Sequence, residues 1–228
     1  MIEERLSDGG RPAQNPQRKE AARRLDRSSV GTQQKGLRMP HRMGFNVDKL
    51  EEFNKFAADN PNDVLLGITA KTIWDGEGGG SLAKIGPWEM AGNSVSKPTR
   101  DYSIQFGAWK EVEEALGVEK AMDRIEPVEV ALAAVSACVN TAIAINAARE
   151  GVAYDGLEIT TKAMVDPRVL VGVLPAEEAA SCLQSVEMTI EVQGDVSDAD
   201  KQKIADMAKR SPVHAMISNA NNLVTTIT

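Results

Sequence analysis

Apolar positions first fall into order after Asn46. Val47, Leu50, Phe53, Phe56 and Ala57 share one face at helical spacing and predict a short helix that ends near Asn60-Pro61. The pattern then changes period. Val64 to Trp74 (VLLGITAKTIW) is rich in β-formers with partial alternation, the run Asp75 to Gly80 (DGEGGG) supplies a turn, and Ser81 to Met90 reads as the hairpin partner. Arg100 to Phe106 predicts a third strand, and Trp109 to Lys120 a short amphipathic helix with Trp109, Val112 and Leu116 inward.

The segment PVEVALAAVSACVNTAIAINAAREG runs from Pro127, suited to a helix N-terminus, to Gly151, suited to its C-cap. It is apolar nearly all round, which predicts a central buried helix. Its length approaches that of a membrane span, but Glu129, Ser136, Asn140, Thr141 and Asn146 interrupt it and most of it is alanine, so no membrane association is expected. Beyond it, Gly156 to Val165 and Ser185 to Gln193 alternate as half-buried strands. Ser197-Asp198-Ala199-Asp200 opens a helix to about Arg210, Ser211-Pro212 opens another, and Leu223 to Ile227 could close a sheet. Helix, three strands, two helices, two strands, two helices and a strand make an α+β fold with antiparallel pairing.

Composition sharpens this picture. At 228 residues the chain suits one ordinary domain, and 42% hydrophobic but only 4% aromatic residues mean a core of Ala, Val, Leu, Ile and Met. The net charge of −7 is unevenly spread: residues 1–42 hold ten basic and five acidic residues, a net +5, which leaves −12 for the remainder. That head is rich in Gly, Pro, Gln and Arg and too poor in large apolar residues to offset its ordering entropy. Residues 1–44 therefore read as a disordered or loosely docked basic arm, and 45–228 as a single domain. The acidic body argues against nucleic-acid binding, which needs a basic surface to displace counterions. Two cysteines make no disulfide framework, no charged start with a following apolar run provides a secretion signal, and Arg23-Arg24 lacks the apolar segment of an export signal. A reducing cytoplasm is the expected location.

Most chemistries find no support in the residues. Cys138, Cys182, His41 and His214 lie too far apart for a zinc motif, so neither metal nor cofactor is expected. Gly76 to Gly80 lacks the lysine and following helix of a phosphate loop. His214 follows Ser211 by three residues without a nucleophile elbow, which leaves a serine hydrolase unsupported. Cys138 remains, in mid-helix. By residue type alone it is a buried filler with a raised thiol pKa; a functional thiolate would need a nearby cation, for which Arg100 and Arg124 are candidates. Cys182 reads as filler too, or as a second thiol if its Cα came within about 7 Å of that of Cys138.

The order of these segments resembles the OsmC/Ohr family of thiol-dependent peroxide reductases. The resemblance is carried by EPVEVALAAVSACVNTAIAINAAREG, then YDGLEITTKAMV, then SVEMTIEVQGDVSDADKQKIADMAKRSPVHAMI, and spans about Val64 to Thr228. It implies an OsmC-like fold in which antiparallel sheets wrap central helices in an intertwined homodimer, with sites at the subunit interface. It also implies that Cys138 is the peroxidatic thiol. Ser211, in SPV where the family commonly has CPV, stands at the position of the second cysteine, so the resolving thiol is missing. The Ohr branch carries an arginine in the first hairpin turn, and Asp75 to Gly80 contains none. Glu129 matches the family glutamate ahead of the reactive cysteine. On a regular helix it lies about 13 Å from Cys138 along the axis and on the opposite side, so any pairing must come through a dimer partner or an arginine both approach. Its alternative role is a helix N-terminal acid favoured by the macrodipole.

Three functions remain open at this level. One is an OsmC-like hydroperoxide reductase with a one-cysteine cycle, in which Cys138 is nucleophile, Arg100 or secondarily Arg124 steadies the thiolate, Glu129 orients that arginine, and an external thiol restores the sulfur. The second is a homologue without peroxidase activity that binds a small hydrophobic ligand at the dimer interface. The third is a structural or interaction protein that works through its basic arm.

Overall fold

The structure is a computed structural model that describes residues 41–219 and 223–227. Of the arm assigned to residues 1–44, only 41–44 fall within the described residues. There β1 (His41–Arg42) pairs with β2 (Phe45–Asn46), and the Arg42 guanidinium donates to the Ala148 carbonyl at 3.4 Å. Helix α1 (Val47–Asp59) follows, its N-cap Asn46 side chain accepting the Lys49 N–H at 3.0 Å. Its apolar stripe is not buried, however: Phe53 is 50% and Phe56 46% exposed.

The first sheet forms as expected from its β-rich runs and Gly-rich turn. β3 (Leu66–Trp74) pairs antiparallel with β4 (Ser81–Met90), which is flanked on its other side by β6 (Tyr102–Phe106) and meets β5 (Asn93–Ser94) at its end. Alternation in β3 predicts a buried face, yet every residue of β3 is exposed, Ile68 to 74% and Trp74 to 66%. Helix α2 (Lys110–Ala115) is shorter than the predicted 109–120, because Gly117 at φ +83 ends it. The expected inward trio is turned out, with Trp109, Val112 and Leu116 at 44%, 39% and 63% exposure. The buried residue there is Glu113, whose carboxylate accepts the Met122 N–H at 3.0 Å and so fixes the chain leading toward the next helix.

That helix, α3 (Pro127–Glu150), begins and ends where Pro127 and Gly151 place it. Glu126 and Glu129 form a reciprocal capping box at its start, and Gly151 takes the left-handed conformation at its end. After a short turn β7 (Gly156–Val165) runs back along it and pairs with β8 (Leu183–Gln193). Ser197 caps α4 (Asp198–Ala208) and Ser211 caps α5 (Pro212–Ser218). Residues 223–227 form no strand; Leu223, Val224 and Ile227 are each more than three-quarters exposed, so the predicted closing strand is absent from the described residues. The architecture is α+β with antiparallel sheets, as predicted.

The core is built on one face of α3. Val135, Val139, Ile143 and Ala147 pack with Ile204, Met207 and Ala208 of α4 and with Leu157, Ile159, Met188, Ile190 and Val192 of the β7–β8 hairpin. The opposite face, Ala133, Ala134, Ala137, Asn140 and Thr141, is exposed in the single chain. The expectation of a helix buried all round is thus corrected: the composition has no polar side, but one chain supplies a sheet and helices to only one side. By length and mean hydropathy (1.9) α3 could cross a membrane, and it is the one described helix of which this is true.

Ile143 is fully buried at the centre of that packed face. Ile143→Ala is expected to cost about 3 kcal/mol of stability in urea unfolding, whereas Ala134→Ser on the uncovered face should change the stability of the isolated chain by less than about 0.5 kcal/mol.

Candidate functional site

Cys138 sits where the two faces of α3 meet. Its neighbours one turn away are Val135 and Ala142, both buried, and Ala134 and Thr141, both exposed; the thiol itself is half-buried. It is therefore neither sealed in the core nor fully solvated. Two residues earlier, the Ser136 hydroxyl bonds the Leu132 carbonyl at 2.9 Å and the Thr161 hydroxyl of β7 at 2.8 Å, which ties this stretch of helix to the strand behind it.

Ser211 is deep in the fold at 1% exposure, with its Oγ accepting the His214 N–H at 3.1 Å. Its hydroxyl serves as the N-cap of α5, the role its residue type and the following proline predict. Helix α5 is held on α3 by an ionic clamp just before this cap. Arg210 donates to Glu150 at 3.0 Å and to the Asn146 side-chain oxygen, both at the C-terminal end of α3, and Arg149 adds a 2.8 Å bond to Glu150. The Arg149 hydrogen bond, with the Arg210 charge and hydrogen bond behind it, holds the Glu150 carboxyl below the ordinary carboxylate range.

The two candidate arginines lie in different settings. Arg124 is 16% exposed and donates to Asp75 at 2.7 Å. Its side chain threads between backbone segments that only glycine allows: a Cβ at Gly80 would lie 1.7 Å from the Arg124 Nη1, and one at Gly107 2.6 Å from its Cδ. The first hairpin turn, which contains no arginine of its own, thus carries a guanidinium brought from the segment ahead of α3. Sequence reasoning missed Asp75 as its partner; the signal was the glycine run itself, which marks close approach as well as a turn. Arg100 instead donates to the Gly86 carbonyl and lies 5.1 Å from the Tyr102 ring centroid, with no carboxylate paired to it among the described residues.

Glu129 is occupied in the capping box, accepting the Glu126 N–H at 3.0 Å. Among the described residues no hydrogen bond or ion pair joins Glu129 to Arg100, Arg124 or Cys138. Cys182 is also free and half-buried, at the end of a 3-10 turn (Ala176–Ser181) beside the Val165–Leu183 end of the hairpin. Thr161, level with Ser136, is four residues from Val165, about 13 Å along the strand, which sets Cys182 well beyond the roughly 7 Å that a disulfide with Cys138 allows. No group of His, Cys, Asp and Glu among the described residues could hold a metal ion.

Residues 120–226, a little under half of the chain, match the family model described as OsmC-like protein. Among solved structures, an OsmC-like protein from Mycoplasma pneumoniae is similar at 15% identity and TM-score 0.45, covering 68% of this chain and 89% of that one. A protein from Psychrobacter arcticus 273-4, described as an osmotic stress induced and detoxification response protein, is similar at 14% identity and TM-score 0.43, covering 65% and 86%. No curated protein matches the chain.

Two stability tests follow from this geometry. Ser211→Ala should cost about 1 kcal/mol in urea unfolding, through the lost cap of α5. Because its folded-state pKa is lowered, Glu150 stabilises the fold above the unfolded carboxyl range near 4.3 and loses that contribution as pH falls through the lower folded value. Glu150→Gln should therefore be less stable than the parent at pH 7, by under about 1 kcal/mol for so exposed a pair, and the difference should shrink by about pH 3.

Proposed function

We propose that this chain is an OsmC-like thiol peroxidase that reduces hydroperoxides in a one-cysteine cycle at Cys138, as a homodimer in a reducing cytoplasm. The observation that carries the reading is the position of Cys138 on the border of the uncovered apolar face of α3: half-exposed and reachable. A second copy laid on that face would cover the exposed alanines and leave the thiol at the seam, where an apolar hydroperoxide would meet it. This also gives Glu129 and an arginine a route to the thiol through the partner chain. Arg100 is the better candidate, since Arg124 is already neutralised by Asp75 while Arg100 bonds only a carbonyl and a ring.

In this cycle the Cys138 thiolate attacks the terminal peroxide oxygen. An S–O bond forms as the O–O bond breaks, and the alkoxide leaves as an alcohol once protonated, so the sulfur is oxidised to a sulfenic acid by the two electrons the peroxide gains. With serine at position 211 no internal thiol follows. An external thiol condenses with the sulfenic acid, releasing water, and a second thiol exchanges with the mixed disulfide to restore Cys138. The guanidinium favours the thiolate electrostatically, and Glu129 orients that guanidinium.

A second reading, a binding module for a small hydrophobic ligand without peroxidase activity, is favoured by one observation: Ser211 is fully committed to capping α5 and leaves no redox partner in its place.

Alkylation of Cys138 across pH in a Cys182→Ser background separates the two. The peroxidase reading expects an apparent thiol pKa well below the free value of about 8.5, labelling blocked reversibly by an organic hydroperoxide, and peroxide consumption lost in Cys138→Ser. A thiol inert to alkylation in the native protein would overturn it in favour of the binding module.

A further inference from the structure

A cleft lies where the loop from Ala91 to Asp101 folds back on β4 and β6. It is a depression of about 400 Å3, broadly open to solvent, with Val95, Lys97, Thr99, Asp101 and Tyr102 of its lining exposed. Three bonds hold the loop in place without a ligand: the Trp88 N–H donates to the Ser96 hydroxyl oxygen at 3.0 Å, the Val95 N–H to the Trp88 carbonyl at 3.4 Å, and the Arg100 N–H to the Lys97 carbonyl at 3.0 Å. The cleft is therefore largely preformed, which reduces the ordering cost of binding.

Its lining joins two aromatic side chains, Trp88 and Tyr102, to two cations, Lys97 and Arg100. Neither cation has an ion pair among the described residues. Asp101 also lines the cleft, but it faces Lys84 on β4 at 3.6 Å. Arg100 uses one N–H on the Gly86 carbonyl, and the other four guanidinium N–H groups have no partner among the described residues. The remaining chain beyond residue 42 carries a net charge of −12, so two unpaired cations beside aromatic walls form a local exception on an acidic body. A bare phosphate would leave the aromatic surface unused, and a neutral aromatic would leave the charges unused.

We propose that this cleft binds a small organic anion with a flat aromatic body, its carboxylate held by Lys97 and by the Arg100 guanidinium that lies over the Tyr102 ring, and its own ring placed against Trp88. An ammonium and a guanidinium suit a carboxylate by charge-assisted hydrogen bonding, and Trp88 supplies the apolar contact that an inorganic anion cannot use. The inference draws on the same Arg100 that the thiol reading invokes, but neither its ligand nor its test involves Cys138.

Calorimetric titration of the full chain carrying Cys138→Ser tests it, with 2-naphthoate, 2-naphthylmethanol and inorganic phosphate as probes. Naphthoate is expected to bind, with the alcohol and phosphate each at least about tenfold weaker. Lys97→Ala, an exposed change that removes no ion pair within the described residues, should weaken naphthoate about fivefold, the size of one partly solvated ion pair, without altering thermal unfolding. Trp88→Phe should weaken it as well. The proposal is overturned if naphthoate gives no binding heat, if the alcohol or phosphate binds as tightly, or if Lys97→Ala leaves the affinity unchanged. Since Cys138 is absent throughout, failure here leaves the thiol reading standing, and an inert thiol leaves this cleft standing.

Discussion

Helix α3 is covered on one side only, and the rest of the molecule is arranged around that asymmetry. Val135, Val139, Ile143 and Ala147 meet the β7–β8 hairpin and α4 and make a contiguous core among the described residues. Burial of this branched set is the dominant favourable term available to a chain with so few aromatics. The other side of the same helix is a stripe of alanines with Asn140 and Thr141, and it has no cover within the described residues. The faces of β3 and α1 are open as well, with Ile68 74% and Phe53 50% exposed.

The placement of chemistry follows from the same helix. A cysteine on the packed side would be inert, and one on the far side would be fully solvated; Cys138 occupies the boundary. Ser211, by contrast, is drawn inside by its duty as the cap of α5, and the Arg210–Glu150–Asn146 clamp fixes where that cap lies against α3. The cap acts within three residues of α5, whereas the clamp joins residues 60 and 64 positions apart in the chain.

The first hairpin and the entry to α3 are joined by a different device. Arg124 reaches Asp75 through gaps at Gly80 and Gly107 that no side chain could share, and the Gly107 N–H bonds the Ile125 carbonyl at 3.2 Å beside it. Buried Glu113 holds the intervening loop through the Met122 N–H. The tip of the β3–β4 hairpin is therefore tied to the start of the cysteine helix by polar contacts, while β3 itself stays exposed along its length.

The sequence alone determined the elements whose signals are local. Pro127 and Gly151 bounded α3, Ser197 and Ser211 marked their helices, the alternation in GLEITTKAMV marked β7, and the DGEGGG run marked the hairpin turn, because caps, turns and period act over a few residues. It also singled out Cys138 and Ser211. Only the tertiary structure decided which side of α3 is packed, since an all-round apolar helix carries no pattern to tell its faces apart. Likewise the fold alone decided that Trp109, Val112 and Leu116 turn outward, that residues 223–227 add no strand, that Glu129 serves its own capping box, and that Arg124 pairs with Asp75. Each of these depends on what long-range neighbours one chain can supply, and a period or a cap encodes nothing about a residue forty-nine positions away.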